Sequence, residues 1–254
     1  MLNSSQFATQ VSHRFAHRIS RQDGDIAAID ALGWQGRRVP ASAYLVREGQ
    51  RPKSCAAIID GFAYRQKLAI NGEREIVSIL VPGDLIDLQN LHLDESDHDV
   101  VALTAMVISE VPLAELRALA RARPAIAEAM WTDTLVEASI YREWLLNIGR
   151  RPAKVRLAHL LCEFHARLRA IGRCSEMEYE LPMTQEQLGD AMGLTPVHVN
   201  RVLKMLERDG LIGRDKRRIK VIDWEQLRTA ADFNDRYLHL DQGGGMATGK
   251  IRAV

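Results

Sequence analysis

The sequence predicts an α+β protein with an N-terminal β domain of the sandwich, barrel or jelly roll (double-stranded β-helix) type, a long helix that pairs two copies of the chain, and a C-terminal winged helix-turn-helix. Three observations support this prediction. Short β-forming runs separated by turn residues fill residues 33–112, and a continuous helical pattern occupies residues 124–148. A helix, a glycine turn and a second helix then lie between residues 184 and 208.

Composition places the chain among packed globular proteins. Of its 254 residues, 46% are hydrophobic and 26% are charged, which excludes disordered and fibrous classes. The apolar runs are far shorter than the ~20 residues of a membrane-spanning helix, and the N-terminus lacks the apolar core of a secretory signal, so we expect a cytoplasmic protein. Cys55, Cys162 and Cys174 are widely spaced without a C-x-x-C pair, which disfavours disulfide frameworks, zinc ribbons and four-cysteine clusters.

Charge is distributed unevenly along the chain. Residues 1–149 carry 15 Lys and Arg against 19 Asp and Glu, whereas residues 150–220 carry 15 against 9. An acidic half joined to a basic segment predicts two units with different partners. The second unit is suited to a polyanion such as nucleic acid.

The first half has the pattern of an all-β domain. A short helix is predicted at residues 6–19, before the strands. Asn71-Gly72 indicates a hairpin with a type I′ turn, because both residues tolerate positive φ. The predicted strands lie at residues 42–47, 55–59, 62–68, 75–80 and 100–109.

Two helices follow, at residues 114–121 and 124–148, and the second carries two apolar stripes. We expect one stripe to pair with the same helix of a second chain. The predicted dimer-interface residues are Ile126, Met130, Thr134, Tyr141, Leu145 and Ile148. The other stripe is expected to pack on the β domain, and its residues are Trp131, Leu135, Ala138 and Leu146.

The most informative stretch begins at Thr184. Thr184 with Gln187 predicts a capping box at the start of one helix, and Gly193 can supply the left-handed residue that ends it. Thr195 then caps a second helix whose first residue is Pro196, where a missing amide donor costs nothing. The two capped helices and the tight turn at Gly193 between them predict a helix-turn-helix. A further helix is predicted before them at residues 153–171.

At 100° per residue the second helix divides into two faces. Val199, Val202, Leu203 and Leu206 fall on one face, and the opposite face is cationic. Arginine can bind guanine, asparagine can bind adenine and valine can contact a thymine methyl group. The predicted DNA-binding residues are Thr184, Gln185, Thr195, Pro196, Val197, His198, Asn200, Arg201, Lys204, Arg208, Arg217 and Arg218.

A basic hairpin follows as a wing. Five cations lie on it, where they are suited to phosphate contacts that fix register without reading sequence. They are Arg214, Lys216, Arg217, Arg218 and Lys220.

Residues 150–222 resemble the DNA-binding half of CRP/FNR-type bacterial transcription regulators, and L-T-P-V-H-V-N-R at residues 194–201 is similar to many members. Residues 131–151 resemble the family's dimerisation helix. R-E-G at residues 47–49 and P-G-D-L at residues 82–85 resemble its cyclic-nucleotide-binding jelly roll.

The resemblance implies a homodimeric regulator that binds a pseudo-palindromic operator in double-stranded DNA, with RNA polymerase as a further candidate partner. It implies that Arg201 reads a base, with Asn200 and Val197 as neighbouring readers. Val197 stands where the family often has glutamate, so the usual family operator is not expected.

The resemblance also suggests how the chain divides. We expect a cyclic-nucleotide-binding-like sensory domain at residues 1–122 and the dimerisation helix at residues 123–149. A winged helix-turn-helix DNA-binding domain at residues 150–240 and a flexible tail at residues 241–254 follow.

The sensory half departs from members that bind cyclic AMP. Those members carry Gly-Glu and Arg-Ser pairs around the cyclic phosphate, whereas this chain has Asp87-Leu88 and His98-Asp99. The intervening loop is rich in carboxylates, which disfavours a bound phosphate. The N-terminal cysteines of iron-sulfur members are absent. Haem sensing stays an alternative for which the sequence suggests no axial ligand, and we expect no cofactor.

Two alternatives remain open at this point. The first is a cupin-like metal enzyme with an accessory helical domain, although no H-x-H motif with a following Glu occurs. His13 with His17, or His92 with His98, could hold a metal, but we expect solvated groups; His159, Cys162 and His165 are expected to form a packed stripe. The second alternative is a regulator whose N-terminal half docks a protein partner.

Overall fold

The computed structural model describes residues 24–175 and 177–240. The helix predicted at residues 6–19 lies outside this part of the chain. A short helix, α1 (Asp25–Asp30), comes first. Eight strands follow: β1 (Gln35–Val39), β2 (Tyr44–Val46), β3 (Ser54–Asp60), β4 (Ala63–Leu68), β5 (Arg74–Leu80), β6 (Leu85–Ile86), β7 (Asp99–Ala102) and β8 (Met106–Pro112).

The strands form two antiparallel four-stranded sheets that face each other. Their orders are β1-β8-β3-β6 and β2-β7-β4-β5. Apolar residues from both sheets, including Ile58, Val100 and Ile108, fill the space between them. The predicted jelly roll is confirmed.

Two details of the predicted β domain are wrong. The run at residues 100–109 is two strands on different sheets, because the chain turns beside Gly61, where an added Cβ would lie 2.6 Å from Ala105 O. In the β4–β5 hairpin only Gly72 takes positive φ (84°), and its amide donates to Ala69 O across a five-residue loop. The turn is therefore not type I′.

Two helices continue from the last strand. They are α2 (Leu113–Ala122) and α3 (Pro124–Arg150), and Pro124 occupies the first turn of α3. A second apolar core lies between α1, α2, the start of α3 and the outer face of the first sheet. A 3₁₀ helix, Leu88–Leu91, also contributes to this core.

The structure corrects the predicted dimer face of α3. Ile126 and Met130 are buried in the chain's own core, so their assignment to the interface is wrong. Trp131, Leu135 and Leu146 were expected to pack on the β domain, yet they are exposed. The 3₁₀ helix and α2 cover the N-terminal part of the first stripe, whereas Thr134 and Leu145 of that stripe are exposed.

The C-terminal unit contains α4 (Ala153–Ala170), β9 (Glu178–Glu180), α5 (Gln185–Met192), α6 (Pro196–Arg208), β10 (Ile212–Asp215), β11 (Arg218–Val221) and α7 (Trp224–Ala230). Its three strands pair in the order β10-β11-β9. A second 3₁₀ helix, Asp235–Leu238, packs against α3. This unit is the predicted winged helix-turn-helix.

Polar contacts join the C-terminal unit to the jelly roll. Arg167 of α4 donates to Asp84 (2.7 Å) and to Ile79 O (2.8 Å). Arg74 of β5 forms an ion pair with Asp190 of α5. Among the described residues, no helix is both long and apolar enough to span a membrane.

Candidate nucleic-acid interface

The first helix of the motif begins and ends at the predicted residues. The Thr184 hydroxyl accepts from the Gln187 amide (3.2 Å), and Gln187 Oε1 accepts from the Thr184 amide (2.9 Å). Gly193 ends α5 with φ 60°. A Cβ at Gly189 would clash with Leu194 O, so glycine allows the turn to approach α5 closely.

The second helix is anchored in the same way. The Thr195 hydroxyl accepts from the His198 amide (3.3 Å), and Pro196 is the first helical residue. Its inner face is fully packed, and the buried residues are Val199, Val202, Leu203 and Leu206. The orientation of α6 is therefore fixed by its core.

The outer face of α6 is open to solvent. Val197 is 82% exposed, and Arg201, Lys204 and Arg208 are also exposed. Within the described part of the chain, Arg201 and Lys204 have no ion-pair partner. A shallow groove of about 440 Å³ runs along this face, lined by Val197, Asn200, Arg201, Lys204, Met205 and Arg208.

The wing supplies further cations, but they are not equivalent. Arg217 is exposed, as is Arg218, which lies 3.4 Å from Glu178. Arg214, which was predicted to contact phosphate, instead pairs with Glu207 at 2.8 Å. This ion pair joins β10 to the C-terminal end of α6.

The sequence-predicted residues therefore lie on one unit but in different settings. Thr184 and Gln185 are exposed at the start of α5, and Thr195 and Pro196 at the start of α6, whereas His198 and Asn200 are half-buried beside the exposed face. Met205 was missed, because its position on the helix lies between the apolar and cationic faces.

A second charged cluster lies where the jelly roll meets α3. Arg65, 3% exposed, lies 3.4 Å from Asp87 and forms an ion pair with Glu137 of α3. His98 bonds to Asp87 (3.1 Å) and Asp97 (2.8 Å). Burial alone would lower the pKa of His98, but its bonds to these two carboxylates and the charge of Asp87 outweigh burial and raise it.

Little space remains beside this cluster. A cavity of about 30 Å³ lies between α3 and the sheet, lined partly by Ser78, Asp84, Asp133, Glu137 and Arg167. That volume is about the share of one water molecule. Among the described residues, no group of three or more His, Cys, Asp or Glu is arranged to hold a metal ion.

Comparison with known proteins bears on both regions. Residues 36–123 match the cyclic nucleotide-binding domain, and residues 155–230 match the Crp-like helix-turn-helix domain. The chain belongs to the CRP/FNR family of transcription regulators. As a CRP/FNR regulator it carries a DNA-binding helix-turn-helix and is not an enzyme, which overturns the cupin-like alternative.

Several members are similar over most of the chain. The transcriptional activator protein FnrL of Cereibacter sphaeroides is 28% identical over 216 residues, 83% of this chain and 86% of that protein. The nitrogen fixation regulation protein FixK of Bradyrhizobium diazoefficiens is 28% identical over 211 residues, 82% and 87% of the two chains. The structure of FixK2 from Bradyrhizobium japonicum shares the fold, with TM-score 0.73 and 24% identity over 78% of this chain and 98% of that one.

Proposed function

We propose that this CRP/FNR regulator binds a pseudo-palindromic operator as a homodimer, with one α6 helix in the major groove of each half-site. The observation that carries this proposal is the exposed cationic face of α6, where Arg201 and Lys204 are not paired within the described chain. Two such helices would contact half-sites about 34 Å apart. A protein with this activity works in the cytoplasm.

The exposed face of α6 suggests how each half-site is read. Arg201 can bind guanine O6 and N7, Asn200 can bind adenine, and Val197 can contact a thymine methyl group. Thr184, Gln185, Thr195, Pro196, His198, Lys204, Arg208, Arg217 and Arg218 surround these readers and are proposed to contact the DNA backbone or flanking base edges.

The exposed stripe of α3 supports the homodimer. Trp131, Leu135, Ala138, Arg142 and Leu145 recur at spacings of 4, 3, 4 and 3 residues, as in the seam of a coiled coil. Trp131 is 69% exposed and Leu145 is 74% exposed in the single chain. A second copy would cover these side chains, together with the predicted residues Thr134 and Ile148 at the margin of the seam.

The same assignment gives the long helix, residues 123–149, the role of a dimerisation element between a sensory domain (residues 1–122) and a DNA-binding domain (residues 150–240). Tyr141, a predicted interface residue, is half-buried beside Arg65 and contributes at most the edge of its ring.

The space between α3 and the sheet, beside Arg65, does not fit a cyclic nucleotide. The ~30 Å³ cavity beside α3 is an order of magnitude smaller than the ~300 Å³ of small-molecule pockets. Arg65, which could meet a phosphate, is already engaged by Asp87 and Glu137. We therefore propose that this half acts without cyclic AMP.

One experiment tests the homodimeric function. Duplexes selected from random DNA by the purified protein should contain two inverted half-sites, and the protein should be a dimer by light scattering. L145E should yield monomers that lose the two-half-site duplex, because it would bury like charges at the seam.

L93E is a matched control, since Leu93 is also exposed but lies in a jelly-roll loop. It should remain dimeric. A monomeric wild type would contradict the proposed function, and a dimeric L145E would contradict the placement of the seam at Leu145.

A further inference from the structure

Glu163 of α4 has an unusual position for a carboxylate, because only 2% of it is exposed. Its two oxygens accept from Trp144 Nε1 (3.1 and 3.0 Å), and Oε2 also accepts from the Tyr237 hydroxyl (2.7 Å). Arg167 Nη1 lies 3.6 Å from Oε1. Two hydrogen-bond donors and one cation therefore surround one buried acidic group.

The three partners of Glu163 come from different parts of the molecule. Trp144 belongs to the long helix α3, and Tyr237 belongs to the 3₁₀ helix after α7. Arg167 lies on α4 but also binds Asp84 and Ile79 O in the jelly roll. Glu163 thus connects the DNA-binding unit with the long helix, the C-terminal segment and the sensory sheet.

The bond to Trp144 crosses the hinge between α3 and α4. Pro152 separates the two helices, and Arg151 beside it donates to Asp232 at 3.1 Å. Only residues 151–152 join the helices, so contacts between side chains must determine their relative angle.

Stability alone does not account for a carboxylate here. Burying such a charge costs several kcal/mol, and apolar side chains of similar volume often stabilise a core as well or better. Burial raises the pKa of Glu163, while Arg167, Tyr237 and Trp144 oppose that change. The two directional hydrogen bonds from Trp144 and Tyr237 restrict the geometry of the elements that they join.

We propose that Glu163 is a positioning residue for DNA binding, which fixes the DNA-binding unit at one angle to the dimerisation helix. In a dimer this angle sets the distance between the two α6 helices, and hence the separation of half-sites that can be bound. The inference rests on the proposed homodimeric function.

The test compares three variants on duplexes with altered half-site spacing. W144F removes the donor that crosses the hinge, and Y237F removes a hydroxyl while keeping the ring packed between Phe233 and His159. Y179F is the matched control. Its buried hydroxyl donates to Leu161 O (2.9 Å) and joins β9 to α4, whereas Tyr237 lies on the 3₁₀ helix that packs against α3.

The probes are the wild-type-selected duplex and two derivatives with one base pair inserted or removed between the half-sites. Wild type and Y179F should strongly prefer the selected spacing. W144F and Y237F should lower the ratio of Kd values between altered and selected spacing by about tenfold, since a hydrogen bond to a charged group is removed. Binding to an isolated half-site should not change.

Unchanged spacing ratios in both W144F and Y237F would overturn the positioning role. Should W144F fail to fold, Y237F decides alone. A wild type without any spacing preference would instead refute the two-half-site function itself, so the two failures can be distinguished.

Discussion

Arg201 and Arg65 show two opposite uses of the same side chain. Arg201 extends from α6 into solvent without an ion-pair partner in the described chain, whereas Arg65 is enclosed by Asp87 and Glu137 between the jelly roll and α3. A cation that its own fold leaves unpaired remains available to a polyanion. A cation that its own fold neutralises becomes part of the scaffold.

The largest effect is expected from removing the enclosed cation. R65M should lower the free energy of unfolding by about 3–5 kcal/mol, because it removes the guanidinium from Glu137 and from the buried Asp87, which keeps its contact with His98. Urea denaturation measures this loss. R51A, which breaks the exposed pair with Glu95, is the control and should change stability little. If R65M and wild type had equal free energies of unfolding, Arg65 would not stabilise the fold and would not differ from Arg201 in this respect.

Removing the available cation should act on DNA instead. R201A should weaken binding by about 1–3 kcal/mol per half-site and relax the preference at one base pair, with an unchanged unfolding midpoint. Fluorescence anisotropy on operators mutated one position at a time measures both effects. R228A, on exposed α7, should keep wild-type preference. An R201A protein with intact preference would refute its role as a reader.

Replacing Lys204, a second exposed cation of α6, should also weaken DNA binding, but by less than replacing Arg201. K204A should weaken binding about equally for all sequences and reduce the slope of log K against log salt by about 1, as expected for a lost phosphate contact. Titrations at several salt concentrations test this. A sequence-dependent loss would mean that Lys204 contacts base edges.

Two buried histidines should give pH-dependent effects on stability, with opposite signs. The raised pKa of His98 means that its contribution to stability is present below pH ~6.5, the unfolded value, and is lost as pH rises through the folded pKa. Burial lowers the pKa of His159 to about 3, so its contribution is lost as pH falls below ~6.5. Unfolding of H98N should lack the first component, and a pH profile identical to wild type would contradict it.

The sequence predicted the helix-turn-helix well because its signals are local. Each residue that starts or ends a helix of the motif does so through groups within four positions along the chain, and the structure confirms every predicted role. These residues are Thr184, Gln187, Gly193, Thr195 and Pro196.

The dimer face of α3 was predicted less well. Helical periodicity identifies two apolar stripes, but only tertiary packing decides that Ile126 is covered by the chain and Trp131 is not. Strand β1 was missed for a similar reason, since its exposed polar residues include Arg37 and Arg38.

The buried clusters were beyond sequence reasoning. Arg65 and Glu137 are 72 residues apart, and Glu163 and Tyr237 are 74 apart, so neither pair has a spacing that a periodic pattern could show. Each is recognisable only after the sheets and helices have been assembled.

The division of labour on α6 has an evolutionary consequence. Val199, Val202, Leu203 and Leu206 hold the helix in place, and the outward residues Val197, Arg201 and Lys204 support nothing in the fold. If these three side chains read the operator as proposed, point substitutions on that outer surface will change which operator is bound while the packing of α6 stays the same.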